Sequence, residues 1–90
     1  MADHHIDTTG RRPVVAGTDI KVSQIASEYE HQRMTPDELI EAHPHLSLAE
    51  VHAALAYYYE HQDAIRREWE DDRALVDSLR SRYRRTAASA

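Results

Sequence analysis

The chain has 90 residues, and a domain of this length buries only about 60 % of the surface that its unfolded chain exposes. Hydrophobic residues make up 41 % of it, but Phe is absent and Trp occurs once, so large core side chains are few. Cysteine is absent, which excludes disulfides and thiolate zinc sites and favours the cytoplasm over secretion. No stretch has the pattern of a membrane span or a signal peptide.

The net charge of −5 is unevenly distributed along the chain. Residues 1 to 21 are neutral, residues 22 to 60 carry one Arg against seven acidic residues, and residues 61 to 90 carry seven Arg against six acidic residues. Because an acidic surface repels phosphate, the middle of the chain is a poor docking surface for nucleic acid.

The N-terminal part is predicted to hold a flexible leader followed by a hairpin. Residues 1 to 12 are polar and show no apolar periodicity, which predicts the leader. The domain is expected to begin near Pro13. Residues 13 to 15 and 19 to 22 have the pattern of two short extended pieces around Gly17, which predicts a small β-hairpin.

Three helices are predicted in the middle of the chain. Apolar residues at helical spacing predict the first helix over residues 23 to 32. A capping box at residues 35 to 38 (TPDE) predicts a second helix that ends near Ala42. Another capping box at residues 47 to 50 (SLAE) predicts a third, longer helix with an apolar face of Val51, Ala54, Leu55 and Tyr58. The last two helices have the outline of a helix-turn-helix.

The C-terminal third is predicted to be a long amphipathic helix with an apolar stripe over residues 64 to 83. Whether the chain breaks between residues 60 and 63 stays open, and fraying is expected from residue 86 to residue 90. The expected organisation is thus a leader (1 to 12), a helix-turn-helix domain (13 to 63) and an amphipathic helix with a frayed tail (64 to 90). The fold class is mainly α with a short N-terminal hairpin.

The sequence does not favour an enzyme, a metal site or a cofactor. The chain has no Cys nucleophile and only two Gly, which is too few for a Gly-rich phosphate loop. Its seven His residues lack the spacing of zinc ligands, and no pair at i, i+4 encloses a general-base Glu. We therefore expect a binding module without a small-molecule substrate.

The helix-turn-helix outline raises the question of DNA binding. In such motifs the second helix enters the major groove, yet no Lys or Arg occurs between Met34 and Ile65. Phosphates and guanine edges would find no partner there, which favours packing over DNA reading. Contact with operator DNA through Arg11, Arg12 or the tail is the better-supported variant.

The C-terminal helix carries the residue types that dominate binding hot spots. It combines one Trp, one Tyr and seven Arg, so it could lie in a groove on a partner, or it could be an ordinary packed helix. The candidate partner-binding residues are Ile65, Arg66, Trp69, Arg73, Leu75, Val76, Leu79, Arg80, Arg82, Tyr83 and Arg84.

Three ordered segments resemble a known bacterial family. They are residues 13 to 22 (PVVAGTDIKV), 34 to 40 (MTPDELI) and 43 to 58 (HPHLSLAEVHAALAYY). This order is similar to that of small domain-of-unknown-function proteins classed as VapB-type antitoxins, over about residues 13 to 63. One departure is Arg33, where the family usually places Gly. The segment after residue 63 lies outside the shared pattern.

The resemblance implies a homeodomain-like helical core, often dimeric, that neutralises a PIN-like ribonuclease toxin, with repression of its own promoter together with the toxin as a further expectation. PIN-type nucleases are expected to bind divalent metal through clustered carboxylates, with which an inhibitor's Arg can pair. In this hypothesis the apolar stripe lies in a toxin groove while Arg73, Arg80, Arg82 or Arg84 reaches the acidic site. Homodimerisation is predicted through backbone pairing of the hairpin, at Val14, Val15, Ile20 and Val22.

Two other functions remain open from the sequence alone. One is a DNA-binding transcriptional regulator without a toxin, which would bind its promoter in a salt-sensitive way. The other is a structural adaptor whose final helix completes a coiled-coil-like homodimer.

Overall fold

A computed structural model of the protein describes residues 5 to 89. Its elements in chain order are β1 (Ile6–Asp7), β2 (Val14–Val15), α1 (Val22–Glu30), α2 (Pro36–Ala42), α3 (Leu48–Glu60) and α4 (Gln62–Ser89). The predicted fold class is confirmed: the chain is mainly helical, with a short N-terminal hairpin and a long C-terminal helix.

The hairpin begins earlier than the sequence predicts. β1 and β2 pair in antiparallel fashion, with Ile6 opposite Val15 and Asp7 opposite Val14. The sequence assigns residues 6 and 7 to a flexible leader, whereas the structure places them in a strand whose Ile6 side chain is buried. A lone apolar residue among polar ones has no periodicity, so its burial left no pattern to detect. Residues 1 to 4 of the predicted leader lie outside the described residues.

The turn at Gly17 forms, but the pairing across it is short. Val14 makes a single antiparallel bridge to Lys21, and the Val15 backbone N–H donates to the Ile20 carbonyl at 2.9 Å. Gly17 has a φ of +79°, a left-handed conformation that Gly adopts without a Cβ penalty. β2 therefore lies between β1 on one side and residues 20 to 22 on the other.

Both predicted capping boxes are present. The Thr35 hydroxyl accepts a hydrogen bond from the Glu38 backbone N–H, and the Glu38 carboxylate accepts one from the Thr35 N–H at 2.8 Å. Ser47 and Glu50 repeat this arrangement at the start of α3. Each box satisfies N–H groups that the first helical turn leaves unpaired, which explains why α2 and α3 begin where the sequence predicts.

Arg33 lies in the turn between α1 and α2 with a φ of +58°. A residue with a Cβ adopts this left-handed conformation at a cost of roughly 1 to 2 kcal/mol, whereas Gly adopts it freely. At the position where the resembled family usually places Gly, this chain therefore has a strained turn. α1 ends at Glu30, two residues before the predicted end.

The core lies between α1 and α3. α2 and the hairpin cover this core from two sides. Its largest fully buried side chains are Ile25, Leu39 and Ile65. Among residues 5 to 85, the buried apolar side chains are Ile6, Val15, Val22, Ile25, Ala26, Leu39, Leu46, Val51, Ala54, Leu55, Tyr58 and Ile65. Because only one of them lies beyond α3, the core ends at the first turns of α4.

A break at His61 separates α3 from α4, which settles the point that the sequence left open. α4 then continues for 28 residues to Ser89, past the position where fraying was expected. A helix of that length is roughly 42 Å long, and the described chain measures 54 × 26 × 21 Å. Within residues 5 to 89, no helix combines the length and apolar character that crossing a membrane requires.

Replacing Arg33 by Gly is expected to raise the free energy of unfolding by about 1 kcal/mol, because Gly removes the Cβ strain at a φ of +58°. Urea denaturation followed by Trp69 fluorescence measures the change. Arg33→Ala is the control, since it removes the same guanidinium but keeps the Cβ, and it should bring no such gain. An equal gain in both variants would assign the effect to charge rather than to the backbone.

Candidate functional site

α4 divides into two parts that differ in their environment. In the first part, up to Asp72, Ile65 is fully buried and Trp69 is half-buried against the core. In the second part, every side chain from residue 73 to residue 85 is exposed. We call the second part the α4 extension. The first part thus attaches the helix to the domain, and the extension presents side chains to solvent.

Trp69 connects α4 to α1. Its indole N–H donates a 2.9 Å hydrogen bond to the Ser23 carbonyl, and the ring lies against Tyr58 and His31, with ring centroids 5.6 and 4.7 Å apart. A buried Trp usually pairs its N–H in this way, since an unpaired donor would cost free energy. The sequence predicts a partner contact for Trp69, whereas the structure uses this residue to position α4 in its own chain.

Arg12 holds α4 from the hairpin side. Its Nη1 lies 3.0 Å from Asp72 Oδ1, and its Nε lies 3.8 Å from Glu68 Oε1. The second distance exceeds a hydrogen bond, and this buried Glu68 oxygen has no hydrogen-bond partner among the described residues. Arg12 therefore supplies the charge that compensates a largely buried carboxylate on α4. We call Arg12, Glu68 and Asp72 the Arg12 clamp.

The α4 extension carries an uncovered apolar stripe. Its members expose between 44 and 78 % of their surface and are Leu75, Val76, Leu79 and Tyr83. Arg80 and Arg84 lie beside Val76, Leu79 and Tyr83 on this surface. Because residues three and four apart share one helix face, the stripe continues the face on which Ile65 and Trp69 pack. Contiguous exposed apolar side chains of this kind mark surfaces that bind a partner.

The predicted partner-binding residues therefore fall into two groups. Ile65 and Trp69 pack within the chain, and Arg66 hydrogen-bonds to Gln62 at 3.0 Å in the attached part of α4. The structure brings the others together on the extension, which are Arg73, Leu75, Val76, Leu79, Arg80, Arg82, Tyr83 and Arg84.

The hairpin residues predicted to mediate dimerisation serve first in the chain's own fold. Val15 and Val22 are fully buried, and Ile20 packs against the core. Val14 belongs to β2, which has a neighbour on both sides. Only the backbone of β1 or of residues 20 to 22 could offer an edge to a second chain, so dimerisation through the hairpin stays a prediction.

The residues predicted to contact DNA differ in their availability. Arg11 is exposed, but Arg12 is engaged in its clamp, and both line a cleft that also contains Asp71 and Asp72. Those carboxylates repel phosphate where the two Arg attract it. At the start of α3, Glu50 is engaged in its capping box. DNA contact stays a prediction that no described feature favours.

Two of the histidines described by the structure make contacts at the ends of helices. His43 Nε2 lies 2.8 Å from Glu28 Oε1 and so joins the turn after α2 to α1. His61 stacks on Tyr57 at a 4.0 Å centroid distance, and its Nδ1 lies 3.0 Å from the Tyr57 carbonyl. Across residues 5 to 89, no three His, Asp or Glu side chains converge as metal ligands do.

Besides the contacts of Trp69 and Arg12, two further contacts between distant parts of the chain have no counterpart among the sequence predictions. The His43–Glu28 pair is one, and the other joins α1 to α3 through Tyr29 and Tyr59. The hydrogen bond with Tyr29 is the largest cause that raises the pKa of Tyr59 to about 12, and burial and the Glu30 carboxylate act in the same direction. Partners 15 and 30 residues apart show no periodicity in sequence, which is why neither contact could be read from it.

Comparison with known proteins places the body of the chain in a family. A family model described as "Protein of unknown function (DUF433)" matches residues 5 to 58, from the start of the hairpin to Tyr58 in α3. The match therefore ends before α4 begins. No match was found among curated proteins or among solved structures.

Replacing Arg12 by Ala is expected to lower the free energy of unfolding by about 1 to 2 kcal/mol, because Glu68 would keep a buried carboxylate without its cation. Arg11→Ala is the matched control, since Arg11 is exposed and the change should stay within about 0.5 kcal/mol. Urea denaturation of both variants gives the comparison. Equal losses would show that Arg12 does not act through its clamp.

Proposed function

The chain belongs to the DUF433 family, and we propose that it is the antitoxin of a type II toxin–antitoxin pair. In this proposal it binds a PIN-like ribonuclease in the cytoplasm and inhibits it through the α4 extension. The observation that supports the proposal is the apolar stripe, which the chain's own core leaves exposed while Arg side chains flank it. Neither the family match nor the fold assigns this activity, which comes from the resemblance to VapB-type antitoxins.

The extension has the form of a peptide ligand that binds in a groove. Leu75, Leu79 and Tyr83 follow one another at i, i+4 and i+8, so they form a single row of anchors about 12 Å long. The chain presents this row as a helix that is already attached at Ile65 and Trp69. Attachment lowers the conformational entropy that binding must otherwise overcome.

The flanking Arg residues suit a nuclease partner. PIN-type active sites are expected to bind divalent metal through several carboxylates, and an Arg can form a bidentate pair with such a carboxylate. Arg80 and Arg84 lie beside the stripe one helical turn apart, so both can reach across one boundary of it. In the proposal one of them occupies the acidic site and displaces the metal, while the stripe supplies most of the affinity.

Removing residues 74 to 90 is expected to abolish inhibition without unfolding the domain. The buried contacts of α4 and the Arg12 clamp lie at residues 65 to 72, so the shortened chain keeps them. The test is a ribonuclease assay of the PIN-like toxin, which the proposal expects to be encoded by the adjacent gene, in the presence of the full or the shortened protein. Circular dichroism is the control for folding. Full inhibition by a folded, shortened chain would overturn the proposal.

Alanine substitution of Arg80 and Arg84, singly and together, is expected to weaken inhibition by about 30-fold or more for the Arg that enters the acidic site. Arg67→Ala is the matched control, since Arg67 is exposed on the attached part of α4 and turned away from the stripe. Inhibition constants from the same ribonuclease assay give the comparison. If all these variants inhibit fully, the Arg mechanism is wrong, although binding through the stripe could still hold.

A further inference from the structure

The apolar stripe and the body lie on the same side of α4. Ile65 and Trp69 pack into the body. Leu75, Leu79 and Tyr83 continue the same helix face beyond it, with their side chains exposed. The body therefore projects beside the beginning of the stripe, and the two surfaces form a corner. A flat surface could not contact the whole stripe, because it would meet the body first.

The hairpin forms the body's wall of this corner. A cleft connects it to the first residue of the stripe, and its lining residues are Arg11, Arg12, Lys21, Asp71, Asp72 and Leu75. Asp72 is held by Arg12 at 3.0 Å, and Leu75 follows only three residues later, roughly 4.5 Å along the helix. A helix with its side chains is about 10 Å wide. A partner element of that width that crosses Leu75 therefore reaches the hairpin as well.

We propose that the partner-binding surface continues from the stripe onto the hairpin, where Arg11 and Lys21 contact the same partner. The inference rests on the proposed function, because the partner is the PIN-like ribonuclease that covers the stripe. It adds a second contact region on the body. It also specifies a shape: the ribonuclease presents a convex element, about as wide as one helix, that fits into the corner.

Arg11 and Lys21 are the cationic side chains of the hairpin wall that a partner can engage. Both are exposed, and within residues 5 to 89 neither forms an ion pair, whereas Arg12 is engaged in its clamp. Arg and Lys side chains carry hydrogen-bond donors and no acceptor, so the edge of the partner must offer acceptor oxygens there. Asp71 lines the same cleft and offsets part of the positive charge, which favours backbone carbonyl groups over carboxylates.

The far end of the stripe has a different chemistry. Residues 78 to 85 hold four Arg and no acidic residue, so the charge there favours carboxylates on the partner. Arg80 lies five residues beyond Leu75, roughly 7.5 Å along α4 from the hairpin cleft. Neutral acceptors at the hairpin and carboxylates along the extension thus define the direction in which the ribonuclease lies on α4.

Cross-linking tests whether the hairpin contacts the ribonuclease. The chain has no Cys, so Lys21→Cys and Arg11→Cys each accept a single benzophenone maleimide, which on irradiation reacts only with atoms within its reach. Irradiation of the complex should join both labelled chains to the ribonuclease. Ser81→Cys is the matched control, because Ser81 is exposed on the face of the extension opposite Leu79, and its label should give little product. Labelled chains that stay bound to the ribonuclease without a cross-link from either hairpin position overturn the proposal.

Alanine substitution measures what the two cations contribute. Lys21→Ala and Arg11→Ala should each weaken ribonuclease binding by about threefold to tenfold, because each removes hydrogen-bond donors at the rim of the interface. Arg67→Ala is the matched control, since Arg67 is an exposed Arg near the junction of α3 and α4, and it should leave binding unchanged. Titration calorimetry gives the dissociation constants, and circular dichroism is the control for folding. Unchanged binding by both hairpin variants shows that Arg11 and Lys21 do not contact the partner.

Failure of this inference differs from failure of the proposed function. Leu79→Glu places a charge within the stripe and should abolish binding if the stripe is the toxin-binding surface. If binding is lost with Leu79→Glu but unaffected by every change at the hairpin, the antitoxin proposal stands and the hairpin contact is wrong. If the ribonuclease binds Leu79→Glu as tightly as the unchanged chain, or binds neither, both proposals fail.

Discussion

The attachment of α4 to the core determines how the α4 extension and its apolar stripe are oriented relative to the rest of the molecule. Ile65 is fully buried, the Trp69 indole donates to the Ser23 carbonyl, and Arg12 reaches from the hairpin to the acidic side chains of α4. These contacts come from three sides and all lie within two turns of helix. Together they set the direction in which α4 leaves the body, and hence the orientation of the stripe that extends beyond it.

The small size of the core explains why the helix continues uncovered. Without Phe, and with its single Trp in the α4 attachment, the body can bury only the first turns of α4. The remaining turns carry Leu75, Val76 and Leu79, whose side chains stay exposed. A domain of this length buries a smaller share of its surface than a longer one, and in the proposed function the uncovered apolar face contacts another molecule.

Local signals made much of the fold predictable. Capping boxes at Thr35 and Ser47 define the starts of α2 and α3 because cap and helix lie within four residues. The roles of Trp69 and Arg12 were not predictable, since both depend on partners 46 to 60 residues away. The amphipathic pattern of α4 likewise could not show that one face serves two purposes, because burial inside the chain and binding to a partner require the same apolar spacing.

The boundary of the family match separates the body from the proposed site. The match ends at Tyr58, and the stripe begins at Leu75. Family membership therefore describes the hairpin and the three-helix body, and it does not describe the apolar stripe. The body's charges support the same division, since residues 22 to 60 are acidic and the Arg-rich end is separate. A body that repels phosphate and a helix that combines Arg with apolar anchors together suit a protein partner better than a nucleic acid.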